Sequence, residues 1–187
     1  MSKVLLLNGS PHVHGCTAAA LEEMIKVFEE EGVETELIQV GIKEIRGCVA
    51  CGSCSLTGKC VFDDLVNEVA AKFEKADGLV VGSPVYYGSP NGTILSFMDR
   101  LFYSTEFSKQ MKVGAAVVSC RRGGNTASFD ALMSLPHSSR NLYGLFCPLY
   151  TINNKRWQGL QDMGSRKRES GKMMGFRQKR ACICGGI

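Results

Sequence analysis

No run of apolar residues in this chain approaches the roughly 18 that a membrane-crossing helix needs, so no membrane association is expected. The opening segment MSKVLLLNGS has only four consecutive apolar residues and no small-residue cleavage site, so it does not read as an export signal. A cytoplasmic protein is the expectation. There are no internal repeats, which excludes solenoids and propellers. No pair of residues reads as a general acid/base dyad. The basic run Arg166-Lys167-Arg168 has no aromatic or groove-reading motif beside it, so it reads as solvated surface and no nucleic-acid partner is expected.

What is present is one domain of ordinary size: 187 residues, 44% hydrophobic and 21% charged, enough to bury a core. Nine cysteines is a high count. Without an export signal, it points to metal binding or redox chemistry rather than to structural disulfides. Charge is divided unevenly. Residues 1–135 hold 12 basic and 16 acidic residues, and residues 136–187 hold 10 basic and 2 acidic. The expected organisation is therefore a domain over 1–152, carrying a cysteine loop at 47–60, and a basic Gly-rich tail over 153–187.

The apolar runs Lys3–Leu7, Gly78–Gly82 and Lys112–Ser119 read as strands buried on both faces, as in a parallel sheet. Val33–Val40 alternates like a half-buried strand nearer an edge, and 142–152 is a candidate last strand. Helical spacing predicts helices over 18–31 (stopped by Gly32), from Asp63-Asp64 to Lys75, over 93–103, and from Asn125 to about Leu132. Strand and helix alternate, which defines a doubly wound parallel α/β sheet with helices on both faces. Such folds bind ligands at the C-terminal ends of their strands.

The loops at those ends are unusual. Asn8–Thr17 is rich in Gly, Ser and Thr and opens a helix, which suits phosphate. It is neither a Walker loop, since no Gly-Lys-Ser/Thr follows, nor G-x-G-x-x-G. Ser83–Gly92 sets Tyr86 and Tyr87 among Gly, Pro and Ser, and Cys120–Asn125 carries Arg121 and Arg122. Hydroxyls and N–H groups, aromatics and arginines converging on one crevice suit an aromatic cofactor with a phosphate tail. The bland readings are a plain strand–helix turn, core tyrosines and surface arginines. Asp99-Arg100 reads most simply as a pair within or beside its helix.

Cys48, Cys51, Cys54 and Cys60 form C-x2-C-x2-C-x5-C, with Gly52 and Gly58 letting the backbone turn between them. The first three match the start of a ferredoxin-type run. Three readings stand: a [4Fe–4S] cluster, favoured by spacing and compartment; a free-thiol or redox-disulfide loop; and tetrahedral zinc, whose sites more often come as two separated C-x2-C pairs. Cys120 and Cys147 read as small buried hydrophobes, and so does Cys16 unless it lies on a phosphate. Cys182 and Cys184 form a further thiol pair without an assigned role, and His137 reads as structural.

The segments LLLNGSP at 5–11, CVACGSCSLTGKC at 48–60, ADGLVVGSPVYYGSPNG at 76–92, FMDR at 97–100 and RRGGN at 121–125 resemble the flavodoxin-like NAD(P)H-dependent FMN reductases, in their iron–sulfur flavoprotein branch. The resemblance covers roughly residues 1–132. It implies a flavodoxin-like sheet in order 2-1-3-4-5 with FMN at the strand ends. It implies that Ser10, Cys16, Thr17 and Ala18 hold the phosphate, with His12 near it. Pro84, Val85, Tyr86, Tyr87 and Gly88 would run along the isoalloxazine, and Arg121, Arg122, Gly123 and Gly124 would approach it from the other side. It further implies NAD(P)H as electron donor, a small-molecule or ferredoxin-like redox partner, and a homodimer or homotetramer with the cysteine loop near a subunit interface. The activity implied is an FMN oxidoreductase passing electrons through the flavin and a [4Fe–4S] cluster. The alternatives are a cluster-free FMN, quinone or azo-dye reductase and a non-catalytic electron carrier.

Two departures stand out. The family's phosphate loop has a basic residue after the proline and Asn-Thr at its end, where this chain has His12 and Cys16-Thr17. Cationic His would still help a phosphate, but a thiol is a weak donor. After residue 132 the family pattern fades. A frame-shifted or otherwise divergent tail is one reading, and a natural basic extension is its rival.

Overall fold

The computed structural model describes residues 2–138 and 147–153. The readings made for the basic run, for Cys182 and Cys184, and for the tail as a whole lie outside the described residues.

The order is β1 (Lys3–Asn8), α1 (Cys16–Glu30), β2 (Glu34–Gln39), α2 (Cys54–Thr57), α3 (Leu65–Lys75), β3 (Gly78–Tyr86), β4 (Ser89–Pro90), α4 (Gly92–Ser104), β5 (Val113–Cys120), α5 (Asn125–Ser138) and β6 (Cys147–Asn153). The sheet runs β2-β1-β3-β5-β6, all parallel, with the two-residue β4 attached antiparallel to β3. With β4 set aside as a hairpin return, this is the flavodoxin-like order 2-1-3-4-5.

The sequence explains the placement. Leu5, Leu6 and Leu7 are all fully buried because β1 is central and helices cover both its faces. The period of two sends Leu5 and Leu7 into one core with α3 and α4, through Val69, Phe73, Ile94 and Phe97. Leu6 goes into a second core with Val80, Val117 and the α1 residues Leu21 and Met24. Each fully buried leucine contributes about 2 kcal/mol. The alternating β2 is an edge strand, as its pattern implied.

The helix ends follow their signals. Gly32 at φ +73 closes α1 in a Schellman arrangement, with its N–H on the Glu29 carbonyl and the Val33 N–H on that of Phe28. The Asp64 carboxylate accepts from the Val66 N–H at 3.0 Å and caps α3.

Besides α5, which runs on to Ser138 rather than ending near Leu132, two elements differ from expectation. The stretch expected as a loop from Ser83 is the end of β3 and a tight hairpin, pairing Val85 with Pro90 and Tyr86 with Ser89. Its turn residues Tyr87 (φ +53) and Gly88 (φ +93) both have positive φ, the geometry of a type I′ turn. The other is the short helix α2 inside the cysteine loop, which has no apolar period to announce it.

Candidate functional site

The three unusual loops leave the C-terminal ends of β1, β3 and β5, which are neighbours in the sheet. They are also tied to one another. The Gly9 N–H donates to the Gly82 carbonyl at 2.7 Å. The Asn91 Nδ2 donates to the Gly9 carbonyl at 2.6 Å, and the Asn91 N–H donates to the Ser83 hydroxyl at 3.0 Å. A Cβ on Gly124 would stand 2.6 Å from Gly88 Cα, so the arginine turn packs directly on the hairpin tip and only glycine fits there.

At the first loop, α1 begins without a side-chain cap and without acidic residues in its first turn. The N–H groups of Cys16, Thr17 and Ala18 therefore have no partner within the helix, which is the arrangement that receives phosphate. Ser10 is buried, its N–H held by Asn8 Oδ1 at 3.0 Å and its hydroxyl accepting from the His12 N–H at 3.1 Å. The His12 side chain is exposed. Burial pushes the Cys16 thiol up, so it stays protonated. The Thr17 hydroxyl is bonded to Ser119 Oγ at 2.8 Å in the interior. What Thr17 can offer a phosphate is its backbone N–H. At the other two loops Tyr87 is fully exposed at the hairpin tip, Tyr86 is half-exposed, and Arg121 and Arg122 are exposed.

The cysteine loop forms a separate pocket against α4. Cys48, Cys51, Cys54 and Cys60 all line it, with Val49, Phe62, Arg100, Tyr103 and Ser104 among their neighbours. It is shallow and open to solvent. The backbone wraps it with positive φ at Ala50, Gly52 and Gly58. All four thiols are free, as are those of Cys16 and Cys120. Hydrogen bonds from Ser53, its side chain first and then its backbone, hold the Cys51 thiol below its ordinary range. Asn67 brackets Cys60, its Oδ1 accepting the Cys60 N–H and its Nδ2 donating to the Cys60 carbonyl, each at 3.0 Å.

Arg100 is the residue that sequence reasoning misplaced. It does not pair along its own helix. Its side chain is 1% exposed and makes a bidentate bond to Asp64, Nη1 to Oδ2 at 2.7 Å and Nη2 to Oδ1 at 3.0 Å. Nε donates to Cys60 Sγ at 3.2 Å, Nη1 to the Arg46 carbonyl at 3.2 Å, and the guanidinium lies over Phe62 at 5.0 Å. The signal was present: an arginine among Phe97, Met98 and Leu101 lies on a buried face. Its partner could not be read, because Asp64 is 36 positions away.

The thiol set suits a metal centre in chemistry and position. Among the described residues, however, no three His, Cys, Asp or Glu stand close enough to hold one ion. A single zinc needs its sulfurs within about 3.8 Å of one another, given Zn–S distances near 2.3 Å. A cluster takes one thiolate per iron and holds the thiolates farther apart than a single ion does.

The two sites stand at opposite ends of α4. Asn91 caps the helix among the flavin-type loops, and Arg100 lies nine residues on, a rise of roughly 14 Å.

The fold is flavodoxin-like. A solved NADH:FMN oxidoreductase superposes with a TM-score of 0.65 at 19% identity, over 89% of this chain and 84% of that one. The NADPH-dependent FMN reductase family model matches residues 2–142. An iron–sulfur flavoprotein of Methanocaldococcus jannaschii is 36% identical over 133 residues, 70% of this chain and 69% of that protein. Another from Methanosarcina thermophila is 31% identical over 139 residues, 72% and 73% of the two chains. The chain belongs to the NADPH-dependent FMN reductase family, in its iron–sulfur flavoprotein branch, and is by class an FMN oxidoreductase.

Proposed function

We propose that the protein passes electrons from NAD(P)H or a ferredoxin-like donor to an acceptor through FMN, held by the three loops, and a [4Fe–4S] cluster held by Cys48, Cys51, Cys54 and Cys60. The observation that carries the flavin half is the joining of the loops by Asn91, Gly9, Gly88 and Gly124 at the ends of three adjacent strands. When bound, FMN accepts electrons in pairs and the cluster handles them singly.

The chain's own residues then have definite roles. Ser10 and the first-turn N–H groups of Cys16, Thr17 and Ala18 receive the phosphate, with His12 beside it. Backbone groups from Pro84 to Gly88, with Val85 between them, hydrogen-bond one edge of the ring, and Tyr86 and Tyr87 flank it. The turn Arg121, Arg122, Gly123 and Gly124 closes the other side and brings positive charge to it. The exposed apolar residues around the cysteine pocket, Val49, Leu56, Val61 and Tyr103, support a second copy of the chain covering it in a homodimer or homotetramer.

A second reading, a cluster-free NAD(P)H-dependent FMN or quinone reductase, draws support from the spread of the thiols. Protein purified without oxygen separates the two. Flavin bands with broad visible absorbance, iron and sulfide are expected, together with NAD(P)H oxidation when an acceptor is added. Cys51→Ser should lose the iron and keep the FMN. Flavin bands alone in the wild type would leave the cluster-free reductase, and absence of FMN after reconstitution would remove both readings.

A further inference from the structure

We infer that α4 supplies two hydrogen-bond donors, the Arg100 guanidinium and the Ser104 hydroxyl, to the thiolate-bound centre of the cysteine pocket, and that these positioning residues set its reduction potential. The inference rests on the cluster reading above.

Arg100 and Ser104 are four residues apart, so they sit on one helix face one turn apart. Both line the cysteine pocket, and both are buried, at 1% and 3% exposure. The bidentate bond to Asp64 and the contacts to the Arg46 and Phe62 carbonyls fix the guanidinium plane. Nε–H is thereby directed at Cys60 Sγ.

Ser104 is informative in the opposite way: its hydroxyl is buried and has no partner among the described residues. A helical hydroxyl usually bonds back to the carbonyl four residues earlier. The adjacent Thr105 does so, donating to Leu101 at 2.6 Å. An unmade buried hydrogen bond costs about 1–3 kcal/mol. Ser104 lines the cysteine pocket, and an anionic sulfur-rich group bound there would give this hydroxyl the acceptor it lacks.

The reduced form of such a group carries one more negative charge than the oxidised form. Donors aimed at its sulfurs favour the reduced form and raise the potential. Asp64 cancels the net charge of Arg100, so the effect comes from directed N–H and O–H dipoles rather than from a bare cation.

The test uses full-length protein purified anaerobically as wild type, Ser104→Ala and Ser104→Thr. Iron, sulfide and FMN are quantified before a spectroelectrochemical titration of the visible bands. Ser104→Ala is expected to keep its iron and to show a more negative midpoint, a severalfold shift of the reduction equilibrium toward the oxidised form. Ser104→Thr, which retains the hydroxyl, should return toward the wild-type value. Iron lost from Ser104→Ala but kept by Ser104→Thr also supports the donor. An iron-loaded Ser104→Ala at the wild-type potential overturns the inference and leaves the cluster standing. So does an equal change in both variants, which packing alone would produce. Wild-type protein without iron and sulfide overturns the cluster reading and the inference with it.

Discussion

Asn91 donates from Nδ2 to the carbonyl oxygen of Gly9 at 2.6 Å, joining two loops 82 positions apart in sequence. The same side chain accepts the Thr93 N–H at 3.1 Å and caps α4. One residue thus starts a helix and fixes the distance between two walls of the proposed flavin site.

Its two functions can be separated. Asn91→Ala loses both bonds and should lower stability by about 1–3 kcal/mol in urea titration. Asn91→Asp keeps the capping oxygen and loses the donor. It should recover only the capping share of the stability, since its second oxygen then faces the Gly9 carbonyl, and it should bind FMN more weakly, by about tenfold for one lost hydrogen bond. Equal FMN affinity in Asn91→Asp and wild type would show that the Gly9 bond does not shape the site.

Tyr87 holds φ +53, a conformation costly for a residue with a large side chain, and no packing compensates it because the ring is exposed. Asn is the residue a type I′ turn prefers at this position. Tyr87→Asn should stabilise the FMN-free protein by about 1 kcal/mol, measured by chemical denaturation. If the exposed ring serves the bound flavin or its substrate, the same change should lower turnover while raising the melting temperature. A variant no more stable than wild type would show that the turn carries no strain.

Glu36 links two elements across the sheet edge. It pairs with Lys72 of α3 at 2.6 Å and with Lys3 of β1 at 3.3 Å. The Lys72 hydrogen bond chiefly, with Lys3 after it, holds its carboxyl below the usual 4.5. A depressed folded value means the stabilisation is present above the unfolded value and lost as pH falls through the folded one. The pair is solvent-screened, so its worth is at most about 1 kcal/mol. Glu36→Gln should melt slightly lower than wild type at pH 7, and the gap should close as pH falls through the depressed folded value, which lies below 4.5. A gap that persists at pH 3 would mean that something other than the carboxylate charge is responsible.

Much of the fold was legible because burial on both faces writes itself as continuous apolar runs, as in Leu5–Leu7 and Leu79–Val81. The hairpin at Tyr86–Ser89 was not, because its turn places tyrosine where asparagine or glycine would have advertised positive φ. The loops were legible through their composition, and so was the cysteine spacing. The wiring between them was not. Thr17 looked like a phosphate ligand, yet its hydroxyl is bonded to Ser119, 102 positions away. Arg100 read as pairing with Asp99 within or beside its own helix, and its partner sits at the cap of a different one. Long-range polar pairs leave no periodic trace in a sequence, and here they are what joins the parts of the site.

The helix α4 starts among the three strand-end loops and reaches the cysteine pocket with Arg100 and Ser104. It therefore works as a shaft of fixed pitch. One residue inserted or deleted between Asn91 and Arg100 would rotate the far end by about 100° and swing both donors off the pocket. The number of residues along the shaft is what holds the two ends in register. The two sites keep a common phase only at the present count.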